Sequence, residues 1–206
     1  MTRKPRTQAK QSFTRNTSVG LIRKTMSVCV LESSLERDHM RLESFELDDS
    51  EHFEMQPAPL PHLCNGKLVN YTPDSKKVTK NGKNVVTEVK YKKDAERQDN
   101  QEKFKFLETQ YKDKGETFKV VTETNIYIGH RSDNLAQLYP SLIHPSPVKE
   151  FNALTKNISP KKKTITQMHQ IADRRGIPRI FVKRAIAHKL FRCDLTQPWS
   201  ALVLTW

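Results

Sequence analysis

The sequence contains no run of about 18 apolar residues, which excludes a membrane-spanning helix. Its N-terminus is basic, but no apolar signal region with a small-residue cleavage site follows. Three cysteines, Cys29, Cys64 and Cys193, are widely spaced and odd in number. They exclude a disulfide framework and a CxxC zinc site, and the expected compartment is the reducing cytoplasm. The seven histidines form neither HxxxH nor HExxH, and no Ser/His/Asp set, Walker motif or GxGxxG is present. Nothing therefore points to nucleotide hydrolysis, and no internal repeat is found. Apolar residues are scarce, at 35% with a mean hydropathy of −0.72, yet nine Phe and two Trp can still anchor a core. The 206 residues allow one large or two small domains.

What the chain has in excess is positive charge. Lys and Arg number 36 against 23 Asp and Glu, a net charge of +13, and a polyanion such as nucleic acid is the expected partner. The charge is divided along the chain. Residues 1–31 carry Arg3, Lys4, Arg6, Lys10, Arg15, Arg23 and Lys24 and no acid, reading as a flexible basic arm that binds DNA or folds onto a partner. Residues 32–59 reverse sign, with nine acids against Arg37 and Arg41. Such a cluster either keeps the protein soluble or supplies carboxylates to metal ions. Residues 151–206 carry eleven basic residues against Asp173 and Asp194.

Periodicity and turn residues give a coarse outline. Ser33 or Ser34 caps a helix running to about Phe45, with Leu35, Leu42 and Phe45 near one face. The stretch 48–61, with three prolines, reads as a loop. A strand is expected over Lys67–Tyr71 after the Asn65-Gly66 turn. Another begins at Val78 and is broken by the hairpin signal Asn81-Gly82. Val85–Tyr91 is the strongest strand. Phe104, Leu107 and Tyr111 mark a helix within 94–111, Phe118–Ile128 reads as a strand, and Leu135–Leu138 as a short helix. Strands mixed with helices indicate an α/β unit. Residues 145–163, rich in proline and ending Lys161-Lys162-Lys163, read as a connecting loop. Beyond it, Ile165, Met168, Ile171 and Ala172 form a helical stripe ending at Gly176. A second helix opens at Pro178, and Leu195 can pair with the tail Ala201–Trp206 as a hairpin. Helix, glycine turn, helix and hairpin is a winged-helix pattern.

One constellation carries chemistry. Pro73-Asp74 is followed fourteen residues later by Glu88-Val89-Lys90. Strand side chains alternate, so Glu88 and Lys90 share a face, and an upstream strand ending at Asp74 can bring its carboxylate beside Glu88. Carboxylates about 3–5 Å apart cannot stay ionised together without a cation. Hard oxygen ligands suit Mg²⁺ or Mn²⁺, which activate water and stabilise the leaving oxygen of a phosphodiester. A neighbouring lysine orients water or neutralises developing charge. The helix upstream carries Glu36 as a possible third ligand. The competing reading makes Glu88 and Lys90 a solvated strand face and Pro73-Asp74 a plain turn.

Taken together, Leu31-Glu32-Ser33-Ser34-Leu35-Glu36-Arg37-Asp38, Gln56-Pro57, Asn65-Gly66-Lys67, Tyr71-Thr72-Pro73-Asp74 and Glu88-Val89-Lys90 resemble, in order and spacing, the TnsA family. These are the endonuclease subunits of heteromeric cut-and-paste transposases. The likeness is strong over about residues 30–92. It implies a restriction-endonuclease-like α/β core with a winged-helix-like C-terminal domain. It further implies Mg²⁺, replaceable by Mn²⁺, held by Glu36, Asp74, Glu88 and the Val89 carbonyl, with Lys90 in the lysine role. The implied reaction cuts the 5′, non-transferred strands at transposon ends. A TnsB-like DDE transposase cuts and joins the 3′ ends, and a TnsC-like AAA+ regulator gates the reaction. Some relatives belong to CRISPR-associated transposons. Where the family usually has an aromatic residue after the Asp, this chain has Ser75, and it is short for the family.

The expected organisation is a basic arm (1–30), a catalytic domain (31–145), a basic linker (146–163) and a winged-helix-like domain (164–206). Glu32, four residues from Glu36 on a shared helix face, is an alternative ligand. Gln56 has the character of a loop-shaping residue. His39 either approaches the site or packs away from it. Lys161, Lys162, Lys163, Arg174, Arg175, Arg179, Lys183 and Arg184 fit DNA-backbone contacts around the helix-turn-helix pattern, or an ordinary basic surface. Two other functions fit the same residues: a free-standing restriction or repair nuclease, and a non-catalytic winged-helix DNA-binding adaptor.

Overall fold

The computed structural model describes residues 18–22, 27–64 and 67–206. The first element lies inside the stretch expected to be a basic arm. Strand β1 (Ser18–Ile22) pairs antiparallel with β2 (Ser27–Leu31), while residues 1–17 and 23–26 fall outside the described residues. Ile22 and Leu31 point inward onto Met40 and supply the apolar contact that composition alone conceals. Gly20 permits the close approach, because a Cβ there would stand 2.5 Å from the Met40 sulfur.

Helix α1 (Ser34–Glu46) starts where the Ser33 hydroxyl accepts the Glu36 N–H at 3.1 Å, a standard N-cap. It serves three cores at once. Leu35 packs with Val89 and Ile126, Met40 with the β1–β2 hairpin, and Leu42 with the C-terminal helices.

The next stretch is not the loop expected from its prolines. Strand β3 (His52–Met55) forms because Phe53 and Met55 alternate inward, and it stops at Gln56, whose φ is 48°. Strands β4 (Leu60–Cys64) and β5 (Lys67–Tyr71) pair antiparallel, while the Asn65-Gly66 turn itself lies outside the described residues. Strand β6 (Ser75–Val78) ends at Val78 rather than beginning there. A tight turn with Gly82 at φ 73° leads into β7 (Asn84–Val89). That positive φ costs glycine nothing. Asp74 thus precedes a strand instead of ending one.

Helices α2 (Lys92–Ala95) and α3 (Gln98–Asp113) cross over to β8 (Thr117–Val121), which runs parallel to β7. The strand expected to reach Ile128 stops at Val121, because the Asn125 side chain accepts the Thr122 N–H at 2.9 Å and starts α4 (Glu123–Ile126). The resulting mixed sheet has the order β3-β6-β7-β8. Its central strand is covered on both sides, as crossover-connected strands usually are. Val86 packs with Phe104, Leu107 and Tyr111 of α3, while Val89 packs with Leu35 of α1. This arrangement, a mixed sheet with flanking helices, is compatible with a nuclease-like α/β fold.

The largest core lies toward the C-terminus. It joins α5 (Arg131–Leu142), α6 (Val148–Thr155), α7 (Ile165–Arg174) and α8 (Ile180–Ala187). Helix α6 lies inside the proline-rich stretch expected to be a loop, and its Leu154 is fully buried. Phe191 packs edge-on against Phe151 and Trp206, with centroids 5.0 and 5.5 Å apart. The expected hairpin between Leu195 and the tail forms only as a single bridge at Arg192, and Leu195 itself does not pair with the tail strand β10 (Val203–Thr205). That strand pairs with β9 (Lys162–Thr164), and its Thr205 makes the bridge to Arg192. No helix among the described residues is long and apolar enough to cross a membrane.

Candidate active site

The N-terminus of α1, the end of β5, the Pro73-Asp74 turn, the end of β7 and α3 surround one open cleft of about 550 Å³. Glu32, Glu36, Asp74, Glu88, Val89, Lys90 and Lys103 all line it. The structure therefore brings together residues that are up to 71 positions apart in sequence (32 to 103).

Asp74 is the most firmly built of these. Its N–H donates to the Thr87 carbonyl at 3.0 Å, and its carbonyl accepts the Gln56 N–H at 2.8 Å. Its Oδ2 accepts the Val89 N–H at 2.7 Å. Two strands thus fix one turn residue, and Gln56 acts through its main chain. Ser75, which follows, is buried and pairs through its Oγ with His39 Nε2 at 2.9 Å. The imidazole packs edge-to-face with Phe53, with ring centroids 6.1 Å apart. His39 is therefore packed behind the site and does not enter it. Burial without an acid partner lowers its pKa to about 4.

Glu88 is buried on the α3 face of β7. The Tyr71 hydroxyl donates to its Oε2 at 2.5 Å. Its Oε1 faces two ammonium groups, Lys103 Nζ at 3.5 Å and Lys90 Nζ at 3.9 Å. Lys103 also lies over the Tyr71 ring, 4.7 Å from the centroid, a cation–π geometry. Glu36 turns back on the residues that precede its own helix. Its Oε1 accepts the Ser33 hydroxyl at 2.9 Å and its Oε2 accepts the Glu32 N–H at 3.0 Å.

The carboxylates feel one another. Burial and then the charge of Glu88 push the Asp74 carboxyl up to about 7, with Glu36 adding to the rise and the Val89 N–H and Lys90 opposing it. Burial, followed by Glu32 and Glu88, also raises Glu36. Burial and the Glu88 charge raise the Tyr71 phenol, keeping it a donor. Such crowding is relieved by a cation, and an all-oxygen donor set has the chemistry of Mg²⁺ or Mn²⁺. In this arrangement each acid is turned to a protein donor. Among the described residues, no three His, Cys, Asp or Glu side chains are drawn together closely enough to hold a metal ion.

Tyr71 and Lys103 are the site residues whose roles the sequence did not disclose. Lys103 had a faint signal: it is four residues from Leu107 and borders the apolar stripe of α3. Only the β7–α3–β8 crossover turns it toward Glu88.

The eight basic residues of the C-terminal part have different surroundings. The Arg175 guanidinium donates to the carbonyls of Ala153 and Lys156, the latter at 2.8 Å, and closes the end of α6. Arg179 makes a two-point pair with Asp173 at 2.6 and 2.9 Å. Lys183 and Arg184 lie over the rings of Trp199 and Phe181. Lys161, Lys162, Lys163 and Arg174 form no ion pair with a described residue.

A comparison with curated proteins returns no match. Residues 48–123 match the family described as TnsA-like endonuclease N terminal, a span that includes Gln56, Tyr71, Asp74, Glu88, Lys90 and Lys103. Over that span the chain is similar to the endonuclease domain of TnsA, the family its motifs resemble, and nuclease activity related to transposition is the function this likeness suggests.

Proposed function

We propose that this chain is the Mg²⁺-dependent endonuclease subunit of a cut-and-paste transposase, cleaving the 5′, non-transferred strands at transposon ends. The observation that carries this reading is the convergence of Glu36, Asp74, Glu88 and Lys90 on one cleft within and beside the TnsA-like span. Glu36, Asp74, Glu88 and the Val89 carbonyl would hold the ion once the three carboxylates turn from their protein donors toward one another. When bound, Mg²⁺ supplies Lewis acidity and a water acidic enough to serve as nucleophile at neutral pH. The chain's own groups do the remainder. Asp74, anchored on three sides, fixes the position of attack. Lys90, at the open end of β7, orients the incoming water or neutralises charge growing on the phosphorane. In-line displacement leaves a 3′-hydroxyl and a 5′-phosphate.

The C-terminal part extends the reading. The order helix, strand, helix, helix, strand, with Thr205 paired to Arg192 and β10 to β9, supports a winged-helix-like unit. Its basic surface, including Lys161, Lys162, Lys163 and Arg174, suits DNA-backbone contact. A TnsB-like transposase and a TnsC-like regulator are the partners this reading requires.

Cleavage of a strand-labelled transposon end tests it, using wild type and Asp74→Ala, each with and without the neighbouring transposase. A 5′-strand cut that needs Mg²⁺ and the transposase, and disappears in Asp74→Ala, is the expected result. Cutting of plain DNA without the transposase would replace this reading with a free-standing nuclease. Intact DNA binding without Mg²⁺-dependent cutting, beside a transposase active on its own strand, would leave a DNA-binding adaptor.

A further inference from the structure

The Glu88 carboxylate is a buried acid whose nearest partners lie outside the PD/ExK pattern, the Tyr71 hydroxyl at 2.5 Å and the Lys103 ammonium at 3.5 Å, with Lys90 farther off at 3.9 Å. Lys103 comes from α3, lies over the Tyr71 ring, and lines the same cleft as Glu36 and Asp74. Its side chain is 41% exposed, so it can swing into solvent without crossing a packed core. A monovalent ammonium thus stands at the oxygen a divalent ion would need, while Glu36 and Asp74 stay turned to protein N–H and O–H donors.

We propose that Lys103 is the resident counter-cation of Glu88. It competes with the divalent ion for that carboxylate and keeps cation affinity low until a polyanion draws its ammonium away. The inference rests on the cation-site reading above. It makes Lys103 a positioning residue that acts through Glu88, and it names DNA phosphate as the group that releases the site. A DNA phosphate offers the half-exposed ammonium several anionic oxygens, and a divalent ion taking its place keeps the buried Glu88 charge compensated.

Mn²⁺ titration of the full chain without DNA, followed by calorimetry, tests this directly. Lys103→Met should bind Mn²⁺ roughly tenfold more tightly than wild type, about 1.4 kcal/mol. Lys103→Arg, which keeps the charge, should stay within about twofold of wild type. Lys93→Met, an exposed charge change on α2, should also stay near wild type. Adding a short DNA duplex should tighten Mn²⁺ binding to wild type and leave Lys103→Met nearly unchanged. Thermal melting of each variant establishes that it is folded. Unchanged or weaker Mn²⁺ binding by folded Lys103→Met overturns the proposal. So does an equal gain in Lys93→Met, which would reduce the effect to net charge. If wild type binds Mn²⁺ and Asp74→Ala does not, such a failure concerns Lys103 alone. If no variant binds Mn²⁺ with or without DNA, the cation-site reading fails, and this inference with it.

Discussion

The cleft and the C-terminal core are built on opposite principles. The C-terminal core brings Leu154, Met168, Val182, Ile186, Phe191 and Leu202 together as buried side chains, and apolar burial stabilises it directly. The cleft gathers Glu36, Asp74 and Glu88 against a largely buried strand end, where like charges oppose one another. Its geometry survives because each acid is tied to a donor from a different element: Glu36 to its helix N-terminus, Asp74 to β7, and Glu88 to β5 and α3. One region contributes stability, and the other holds a charge arrangement that stability alone does not favour.

The sharpest way to separate the two is Asp74→Asn. Under the proposed function, cleavage should fall by about 10⁴-fold, equivalent to about 5 kcal/mol. The melting temperature should hold or rise. The Asp74 pKa is raised on folding, so its ionised form destabilises the fold increasingly as pH climbs from the ordinary carboxylate range to about 7. Removing the charge therefore stabilises most above pH 7. Parallel cleavage assays and melts at pH 8 check both halves, and a large drop in melting temperature would show that Asp74 is structural.

Phe191→Ala should do the reverse. Loss of a fully buried ring between Phe151 and Trp206 should cost about 4 kcal/mol in denaturant unfolding. Mn²⁺ binding at temperatures where the variant remains folded should be unaffected.

His39 gives a pH signature to the back of the cleft. Its folded pKa lies near 4 against an ordinary value of 6.5, so the unfolded chain binds more protons between those limits. The neutral buried imidazole contributes stability that is complete above pH 6.5 and lost as pH falls toward 4, about 3 kcal/mol in all. His39→Gln should flatten that part of the stability profile, and the difference between the two melting curves across pH isolates it. A wild-type slope retained in the variant would remove His39 from the account.

The smallest effect belongs to Ser33. Ser33→Ala removes the cap of α1 and should cost about 1 kcal/mol. It also removes a hydroxyl that Glu36 accepts, so the variant reports how far the cleft depends on helix capping. No change in urea midpoint would mean that Glu36 alone holds the helix end.

Much of this was legible in the residues themselves. The stripe Phe104, Leu107 and Tyr111 marks α3, the pair Ser33-Ser34 marks the start of α1, and the spacing of Asp74, Glu88 and Lys90 leads to residues that do share a cleft. What was hidden depended on distant partners. The prolines around β3 masked the alternation of Phe53 and Met55, which only pairing with β6 makes decisive. The tail pairs locally only through Thr205 and Arg192, and its strand runs along β9, some forty residues upstream (203 and 164). Ser75 stands where the resembled family usually has an aromatic residue. Only the approach of α1 to β6 reveals His39 as its partner.

The most direct test of the central claim is anomalous diffraction from Mn²⁺ in crystals of the chain bound to a transposon-end duplex. A peak is expected in the cleft, with oxygens of Asp74, Glu88 and Glu36 and the Val89 carbonyl at about 2.1 Å, and with Lys103 turned away from Glu88. A Mn²⁺ peak elsewhere, or DNA seated across the cleft with none there, would contradict it.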